Sequence, residues 1–516
     1  MALAVSGTDA ADRLDGLTSW HADWRGLRVV VLGLGVTGFA AADTLAELGA
    51  DVLVLTSSAD DERAGLVDVI GARLVVEPLD DAPASLIDHR PDLVIASPGF
   101  HPDHPVLAWA EQTGVPVWGD IELAWRLRDK VGDPAEWILV TGTNGKTTTV
   151  QLTAAFLAAA GLRVAPCGNI GVPVLDAVRD PQGWDVLVVE LSSYQLHHLR
   201  RSGPGALAPH SAVCLNLADD HIDWHGSFEA YRDAKATVYA NTRVACVYNK
   251  ADENTQRMVE DAEVQEGARA IGFGLGVPGP SDFGVVDGIL CDRAFLEDRR
   301  NTAIELTTVI ELEARDLGAP HVVANILAAA ALARSAGVDP LTIRTALESF
   351  TLDAHRIATV AFEDGVRWVD DSKATNPHAA QASLRAFGSV VWIAGGLLKG
   401  VDIDDLVRTQ AHRLRGAVLI GVDRSELRAA FERHAPELPL AEVDTDDTGD
   451  VMPRAVRLAA EVARAGDTVL LAPAAASMDQ FADYAERGHL FTQAVHEYLK
   501  GEADDADAAP TRRDDQ

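Results

Sequence analysis

A short apolar run followed by a glycine-rich loop carries the clearest chemical signal in this sequence. The segment VTGTNGKTTT begins at Val140 and continues through Gly142 and Gly145 to Lys146 and Thr147. Backbone amides of such a loop surround phosphate oxygens, the lysine supplies a cation, and the threonine hydroxyl is a ligand for Mg2+. Val140 replaces the first glycine of the usual phosphate-loop pattern, but the other residues keep this chemistry. We predict that the segment binds nucleotide phosphates.

Two segments that follow later apolar runs could hold a metal ion. Glu190 ends the run VLVVE, and the segment NLADDHIDWHG presents Asp220, His221, Asp223 and His225. Strand ends in an open parallel sheet face the ligand crevice, where a carboxylate and an imidazole could bind a cation. Each of these residues alone would more often cap a helix or contact water. A phosphate loop in the same domain favours the metal interpretation.

One of the chain's seven lysines falls on the apolar face of a predicted helix. In SFEAYRDAKATVYAN the residues Phe228, Tyr231, Ala234 and Val238 recur at helical spacing, and Lys235 lies on the same stripe. Burial disfavours the charged ammonium and lowers the pKa of a lysine. The neutral amine that results is nucleophilic and can take up CO2. The pattern therefore predicts a buried and reactive lysine.

Two further lysines stand in polar segments of the last third of the chain. Lys373 belongs to DDSKATNPH, and Lys399 belongs to GGLLKGVD. Both segments follow apolar runs that we expect to be strands. Two cations among small polar residues suit a substrate that carries carboxylates.

The N-terminal segment GLGVTG has the GxGxxG spacing of a dinucleotide-binding turn, through Gly33, Gly35 and Gly38. A dinucleotide site also needs an acidic residue at the end of the second strand, to bind the ribose hydroxyls. Thr56 and Ser57 stand there instead. The sequence therefore disfavours NAD and favours another nucleotide-linked ligand at this turn.

Composition limits the class of protein. The chain has 516 residues, 47% hydrophobic and 24% charged, which is typical of a globular enzyme with two to four domains. A net charge of -34 argues against a nucleic-acid partner, because phosphate backbones require a basic surface. The four cysteines lack metal-site spacing, so we expect free thiols. Without signal-peptide or membrane-spanning features, we expect a cytoplasmic protein with no membrane partner.

The order of apolar runs, glycine turns and helical segments predicts an α/β protein of three domains. We expect an N-terminal Rossmann-like domain over 1–125, a central P-loop ATPase-type sheet over 126–352, and a C-terminal Rossmann-like domain over 353–500. The charged segment DKVGDPAE makes a linker before the central domain. The acidic residues 501–516 are predicted to be a disordered tail.

Several motifs occur together in one order: TGTNGKTT, GNIG, ELSSYQL, DHIDWHGSFEAYRDAK, HR and DDSKATN. On these motifs the chain, over about residues 25–498, resembles the Mur ligases, the ATP-dependent amide-bond-forming family of peptidoglycan synthesis. The stretch DSKATN is the most discriminating, because sister ligases carry other sequences there, and the DNPR signature of the diaminopimelate- or lysine-adding ligases is missing. The resemblance implies that ATP phosphorylates the alanyl carboxylate of UDP-N-acetylmuramoyl-L-alanine and that the amine of D-glutamate attacks the acyl phosphate.

The resemblance also implies the residues of the site. The expected ATP-binding residues are Gly142, Thr143, Asn144, Gly145, Lys146, Thr147, Thr148, Asn325, Arg356 and Asp371. The expected ligands of two Mg2+ ions are Thr147 and Glu190 for one, and His221 with a CO2-derived carbamate on Lys235 for the other. The expected substrate-binding residues are Thr37, Ser97 and Asn169 for the UDP-sugar, Lys373, Thr375, Lys399, Ser477 and Tyr484 for D-glutamate, and Gly35 and Ser192 without a stated substrate. The expected catalytic residues are Lys146, Glu190, His221 and Lys235.

Three positions depart from the family pattern. Val322 stands where the family usually has Asn, Tyr484 stands where Phe is common, and Thr56 with Ser57 replaces charged residues at the uracil end. Two rival interpretations remain. One is a folylpolyglutamate-type or other amino-acid-adding ligase, and the other is a nucleotide-sensing module without catalysis. We expect a monomer that binds small molecules only.

Overall fold

The computed structural model of the chain describes residues 13–445 and 447–508 and has the predicted α/β architecture, with three sheets. Each sheet lies within one of the three predicted domain ranges. No helix among the described residues is long and apolar enough to cross a membrane. The four cysteines are buried and free, as predicted.

The first sheet has five parallel strands in the order β3-β2-β1-β4-β5. These strands are β1 (Arg28–Leu32), β2 (Asp51–Thr56), β3 (Arg73–Val76), β4 (Leu93–Ala96) and β5 (Val117–Gly119). Its helices are α1 (Val36–Glu47), α2 (Asp61–Val69), α3 (Ala84–His89), α4 (Pro105–Thr113) and α5 (Asp120–Arg126). The strand order reverses between β1 and β4, so the ligand crevice lies beyond the carboxyl ends of these two strands.

The second sheet has nine strands in the order β14-β13-β12-β11-β10-β9-β6-β8-β7. They are β6 (Glu136–Thr141), β7 (Val164–Gly168), β8 (Val186–Glu190), β9 (Ser211–Cys214), β10 (Ala245–Asn249), β11 (Arg269–Phe273), β12 (Asp282–Val286), β13 (Ile289–Asp292) and β14 (Ile304–Thr308). The helices along this part of the chain are α6 (Lys146–Ala159), α7 (Val174–Val178), α8 (Ser193–His197), α9 (Ile222–His225), α10 (Phe228–Ala236), α11 (Glu253–Glu260), α12 (Val309–Glu313), α13 (Pro320–Ser335) and α14 (Pro340–Ser349). Parallel pairing places β6 between β8 and β9, so the carboxyl ends of these three strands share one edge.

The third sheet has six strands in the order β15-β16-β20-β17-β18-β19, parallel except for the antiparallel pair β15 and β16. They are β15 (Ala358–Glu363), β16 (Val366–Asp370), β17 (Val390–Gly395), β18 (Leu414–Ile420), β19 (Leu440–Glu442) and β20 (Thr468–Leu471). The helices are α15 (Pro377–Arg385), α16 (Asp404–Gln410), α17 (Ser425–His434), α18 (Thr448–Val462) and α19 (Tyr484–Ala508). Since α19 is helical to Ala508, the tail predicted to be disordered from residue 501 begins as a helix. Residues 509–516 lie outside the described part.

Backbone contacts divide the chain into two compact units. One comprises Met1–Thr307 and Ala324–Phe350, and the other comprises Thr308–Val323 and Thr351–Gln516. The segment 308–323, which we expected in the central domain, therefore groups with the third sheet. Its Ala319 packs against the core of that sheet. A tertiary contact of this kind leaves no signal in a local sequence pattern.

The first two sheets share one hydrophobic core, which includes Trp118 and Trp137. Arg126 is fully buried at this junction. Its guanidinium donates to the carboxylate of Glu122 and to the carbonyl oxygens of Leu14, Leu17 and Pro204, at 2.8–3.1 Å. The guanidinium also lies 4.0 Å above the Trp118 ring. Because all of its donors point to acceptors, this buried cation ties the two domains together without an unpaired charge.

A second contact at the junction is made by Asp120, the first residue of α5. The side-chain amide of Gln195 donates to Asp120 Oδ2 at 3.0 Å, while Asp120 Oδ1 is buried without a hydrogen-bond partner. Burial raises the pKa of Asp120 to about 6. Gln195 also forms the capping box of α8 with Ser192. The contact therefore fixes the segment that directly follows Glu190.

Replacing Asp120 with asparagine tests the effect of this buried carboxyl. The folded protein holds the proton up to about pH 6, whereas an ordinary aspartate releases it near pH 3.8. The carboxyl thus contributes most to stability at low pH, and this contribution is lost as the pH rises through 6. Asparagine can still accept from Gln195, and we expect Asp120→Asn to be more stable than wild type by up to about 3 kcal/mol at pH 8.

Denaturant titrations at several pH values measure this difference in the free energy of unfolding. The gap between variant and wild type should narrow as the pH falls from 8 to 5. The exposed Asp81 provides the control, because Asp81→Asn should give no pH-dependent gap. A gap that stays constant with pH, or an equal one in both variants, would contradict the prediction.

Candidate active site

The predicted phosphate loop joins β6 to the N-terminus of α6. Gly142 and Gly145 have φ angles of 148° and 85°, values that residues with a Cβ atom rarely adopt. Lys146 folds back over the loop, and its Nζ donates to the carbonyl oxygens of Gly142 and Thr143, both at 2.9 Å. A Cβ built on Gly145 would lie 2.5 Å from Asn325 Oδ1. The loop and the helix N-terminus thus form a turn of the kind that suits an anion, with Asn325 packed against it.

The loop is held in place by residues that follow β9. The hydroxyls of Thr143 and Tyr231 lie 2.9 Å apart, and the backbone amide of Ala218 donates to the Thr143 hydroxyl at 3.0 Å. Asn216 binds both polar backbone groups of Asn144, accepting from its N–H at 2.8 Å and donating to its carbonyl at 3.0 Å. We did not single out Asn216 from the sequence, although it is the first polar residue after the strand. Thr147 and Thr148 lie in the first turn of α6.

A buried carboxylate lies at the end of the neighbouring strand. Glu190 is 2% exposed, and its Oε1 accepts from the side-chain amide of Asn169 at 3.3 Å. Its Oε2 is buried without a hydrogen-bond partner. A buried carboxylate oxygen without a partner is costly, and a bound cation would remove that cost. The residues present therefore fit Mg2+, which takes one or two protein oxygens and completes its shell with phosphate and water.

Metal binding at this edge would depend on ligands from bound molecules. Within residues 13–445 and 447–508, no group of three or more His, Cys, Asp and Glu side chains is arranged to hold an ion. Glu190 and Thr147 lie at adjacent strand ends, on β8 and after β6. Oxygens of a nucleotide would therefore have to supply most of the coordination.

His221 lies after β9 with an unusual backbone. Its φ is 54°, a left-handed value that is uncommon outside glycine. Its Nδ1 is 2.7 Å from the hydroxyl of Tyr194, and its Nε2 is 3.5 Å from Asp220 Oδ2. Burial lowers the pKa of His221, the Asp220 carboxylate opposes this, and the charge of Lys235 adds to the decrease. The imidazole is therefore neutral at pH 7, with one nitrogen lone pair available.

Lys235 is buried, as its position on the apolar stripe predicts. It is 2% exposed, on a face with the buried Tyr231, Ala234 and Val238. Its Nζ donates to the carbonyl oxygen of Gly142 at 3.0 Å and to the Thr141 hydroxyl at 3.3 Å. Burial, followed by the nearby charge of Lys146, lowers the pKa of Lys235 to about 7. About half of these amines are therefore neutral at pH 7.

The turn after β1 has the close packing that its glycines predict. A Cβ on Gly38 would collide with the carbonyl oxygen of Gly33, so α1 approaches the strand end closely. Gly35 is the N-cap of α1, and Thr37 lies in its first turn. The hydroxyl of Ser97, at the end of β4, is buried without a hydrogen-bond partner. The helix N-terminus with this free hydroxyl suits a phosphate-bearing ligand.

Ser192 differs from the other predicted substrate contacts. Its hydroxyl accepts from the backbone N–H of Gln195 at 3.2 Å and so caps α8. The capping role already explains why serine stands here.

The second unit brings together several of the residues predicted for an amino-acid substrate. Lys373 Nζ lies 3.9 Å above the ring of Tyr484. Leu397 and Ala476 exchange two backbone hydrogen bonds, at 2.9 and 3.1 Å, which joins the loops that carry Lys399 and Ser477. Lys399 is exposed and Ser477 is buried. Thr375 is half-buried beside Lys373.

A buried arginine connects these loops. Arg487 donates to the hydroxyl and carbonyl of Ser372 at 2.9 and 2.8 Å and to the carbonyl of Ala475 at 3.2 Å. Burial lowers the pKa of Arg487 to about 10, which leaves it charged at pH 7. Ser372 precedes Lys373, and Ala475 lies two residues before Ser477. We did not predict Arg487, because an arginine within a helix carries no local signal of such contacts.

Two residues of this unit, Arg356 and Asp371, were predicted to bind the nucleotide. Asp371 accepts from the Ser383 hydroxyl and from the backbone N–H of Ile357, the latter at 3.3 Å. Burial raises the pKa of Asp371 to about 6. Burial, together with the charge of Arg356, lowers the pKa of His321 to about 4.

The predicted site residues are divided between the two units. The first unit holds Gly35, Thr37, Ser97, Gly142, Thr143, Asn144, Gly145, Lys146, Thr147, Thr148, Asn169, Glu190, Ser192, His221, Lys235 and Asn325. The second unit holds Arg356, Asp371, Lys373, Thr375, Lys399, Ser477 and Tyr484. The roles given to them in ATP, metal and substrate binding remain predictions. Val322, where the family usually has Asn, is buried in α13.

Replacing Gly145 with alanine tests the nucleotide loop. The added methyl group would collide with Asn325, and an alanine at this position would have to adopt a left-handed φ. The loop would therefore change shape. We expect Gly145→Ala to weaken ATP binding at least tenfold, as measured by calorimetry. Gly161→Ala is the matched control, because Gly161 also has a left-handed φ but has open space around its Cβ position. Equal ATP affinity in the two variants would contradict the assignment.

Three family models match consecutive parts of the chain. The Mur ligase MurD-like N-terminal domain matches residues 27–119, the Mur ligase middle domain matches 140–333, and the Mur ligase glutamate ligase domain matches 355–475. Each match contains most of one of the three sheets.

Curated relatives match over nearly the whole chain. A UDP-N-acetylmuramoylalanine--D-glutamate ligase of Leifsonia xyli subsp. xyli is 69% identical over 97% of this chain and 98% of its own. A ligase of the same name from Streptomyces avermitilis is 54% identical over 92% and 98%. The crystal structure of MurF ligase from Thermotoga maritima in complex with ADP has a similar fold, with a TM-score of 0.54 and 18% identity over 93% of this chain and 96% of that chain. On these matches, the chain belongs to the Mur ligase family.

Proposed function

We propose that this chain is the ligase that uses ATP to add D-glutamate to UDP-N-acetylmuramoyl-L-alanine. One observation carries the proposal. Lys146 and Lys235 donate to the same carbonyl oxygen, that of Gly142, at 2.9 and 3.0 Å. Two amines that converge on a nucleotide loop suit a reaction in which a charged phosphoryl group approaches a carboxylate. The names of the curated relatives support D-glutamate as the amino acid and disfavour the folylpolyglutamate-type alternative.

The proposed reaction has two steps. An oxygen of the alanyl carboxylate attacks the terminal phosphorus of ATP, and the bond to ADP breaks. The amine of D-glutamate then attacks the acyl carbon, loses a proton, and phosphate leaves from the tetrahedral intermediate. Lys146 would release the loop carbonyls and pair with the terminal phosphate, while the amides of the loop bind the other phosphates.

The edge formed by β6, β8 and β9 would hold the metal ions. Thr147 and Glu190 would bind one Mg2+, and His221 with a carbamate on Lys235 would bind the second. Bound Mg2+ would neutralise the phosphate charge that opposes attack by a carboxylate. The unpartnered Oε2 of Glu190 and the neutral imidazole of His221 support this assignment.

The remaining contacts follow from the chemistry of the two substrates. Thr37, Ser97 and Gly35 would bind the diphosphate, and Asn169 would lie near the muramoyl group. Lys373 and Lys399 would pair with the D-glutamate carboxylates, assisted by a set of neutral residues: Thr375, Ser477 and Tyr484. The reaction would take place in the cytoplasm on a monomer.

The choice of amino acid can be tested by phosphate release. With ATP, Mg2+ and UDP-N-acetylmuramoyl-L-alanine present, we expect phosphate release with D-glutamate and less than about one hundredth of that rate with L-glutamate or meso-diaminopimelate. Omitting the UDP-sugar is the control, since the carboxylate to be phosphorylated is then missing. Equal rates with the three amino acids would contradict the proposed specificity.

The surroundings of Lys235 support the proposed carbamate. The neutral amine nitrogen attacks CO2, an N–C bond forms, and one proton leaves to solvent. The resulting anion lies near Lys146, whose positive charge stabilises it. Since the pKa of Lys235 is about 7, the neutral amine becomes more abundant as the pH rises through 7.

Lys235→Ala should abolish activity, because the anion that holds the second metal ion is lost. Added chloride or short carboxylates should restore part of it by occupying the vacated space. With 13C-bicarbonate, a carbamate NMR signal should appear in wild type above pH 7 and be missing in the variant. Lys130→Ala is the control, because Lys130 pairs with Glu47 away from the loop. Full activity in Lys235→Ala would refute the role.

A further inference from the structure

We infer that Tyr194 is a positioning residue for His221, holding the imidazole so that Nε2 is the nitrogen that binds a metal ion. The inference rests on the proposed function, in which His221 is a ligand of the second Mg2+. Tyr194 stands in ELSSYQL, four residues after Glu190, on α8. Tyr194 therefore follows one predicted metal ligand, Glu190, along the chain and contacts the side chain of the other, His221.

The contact is short and selects one nitrogen. Tyr194 Oη lies 2.7 Å from Nδ1 of His221. Nε2 has only a long approach to Asp220 Oδ2, at 3.5 Å. A cation that bound Nδ1 would have to displace the tyrosine hydroxyl, whereas a cation on Nε2 would disturb only the longer contact with Asp220. The arrangement assigns ligation to Nε2.

The tyrosine itself is held by packing. Its ring lies 4.5 Å from that of Trp224 and 5.9 Å from that of His225, with interplanar angles of 38° and 27°. Trp224 is buried. These contacts fix the ring, and the ring fixes the position of the hydroxyl.

His221 needs such a partner because little else orients its side chain. The side chain is 46% exposed, and its ring packs against that of Tyr194, with the ring centroids 4.9 Å apart. Its backbone is fixed by α9, since the N–H groups of Trp224 and His225 donate to its carbonyl at 3.1 and 3.0 Å. Of the two polar contacts of the ring, the hydroxyl of Tyr194 at 2.7 Å is shorter than the carboxylate of Asp220 at 3.5 Å.

A hydroxyl serves this purpose because it can both donate and accept a hydrogen bond. A metal ion on Nε2 requires a neutral imidazole with its proton on Nδ1, and Tyr194 Oη would accept a hydrogen bond from that N–H group. Without metal, the proton can stay on Nε2 near Asp220 while Tyr194 donates to Nδ1. Tyrosine therefore keeps one ring orientation in both tautomers, which phenylalanine cannot do.

The variant Tyr194→Phe tests this role with the full chain. Mn2+ serves as the probe, and electron paramagnetic resonance counts the sites in the presence of a non-hydrolysable ATP analogue and UDP-N-acetylmuramoyl-L-alanine. We expect one of two sites to weaken about tenfold and the other to keep its affinity, since loss of a partner behind a metal ligand has effects of this size. Tyr498→Phe is the matched control, because Tyr498 packs on Trp368 in the second unit and should leave both sites unchanged.

Two further measurements separate the possible outcomes. If Tyr194→Phe lowers the affinity of both sites equally, or lowers the unfolding midpoint along with them, its role is general packing and the inference is wrong. The inference is also wrong if His221→Ala weakens one site but Tyr194→Phe weakens neither. If His221→Ala leaves both sites intact, the metal role of His221 in the proposed function fails. Loss of a single site in both variants supports the inference.

Discussion

The carbonyl oxygen of Gly142 is the acceptor on which the first unit depends. It receives Nζ of Lys146 from its own loop and Nζ of Lys235 from α10. Lys235 is the more deeply buried of the two, and its burial lowers its pKa to about 7. The nearby charge of Lys146 adds to this decrease, because two ammonium groups that share one acceptor repel each other. Of the two lysines that share this acceptor, Lys235 is therefore the one whose burial favours the neutral amine.

This convergence requires a glycine and a particular helix. Gly142 has a φ of 148°, and a Cβ there would lie 3.0 Å from the side chain of Leu215, so a larger residue would move the carbonyl. Lys235 reaches the loop because Tyr231, one helical turn before it, is buried and contacts the Thr143 hydroxyl at 2.9 Å. Lys235 thus lies on the apolar face of α10 because that face packs against the loop.

Local patterns were sufficient for part of this site. The loop from Gly142 to Thr148 and the burial of Lys235 follow from spacing within a few residues, and the α/β class follows from the alternation of apolar runs and helical segments. The roles of Asn216, Tyr194 and Arg487 could not be predicted, because each depends on a contact with a segment distant in sequence or on a chosen rotamer. The grouping of 308–323 with the third sheet was missed for the same reason.

Two buried arginines outside the loop have the same structural role. Arg126 and Arg487 are both fully buried arginines, and each binds backbone carbonyls from separate segments. A guanidinium offers five donors in a fixed plane, so it can bind carbonyl oxygens of several loops at once. Glu190 is the opposite case, a buried carboxylate with one oxygen left unpaired. Both arginines thus have hydrogen-bond partners, whereas the unpaired oxygen of Glu190 lies at a strand end beside the predicted phosphate loop, where a ligand would complete it.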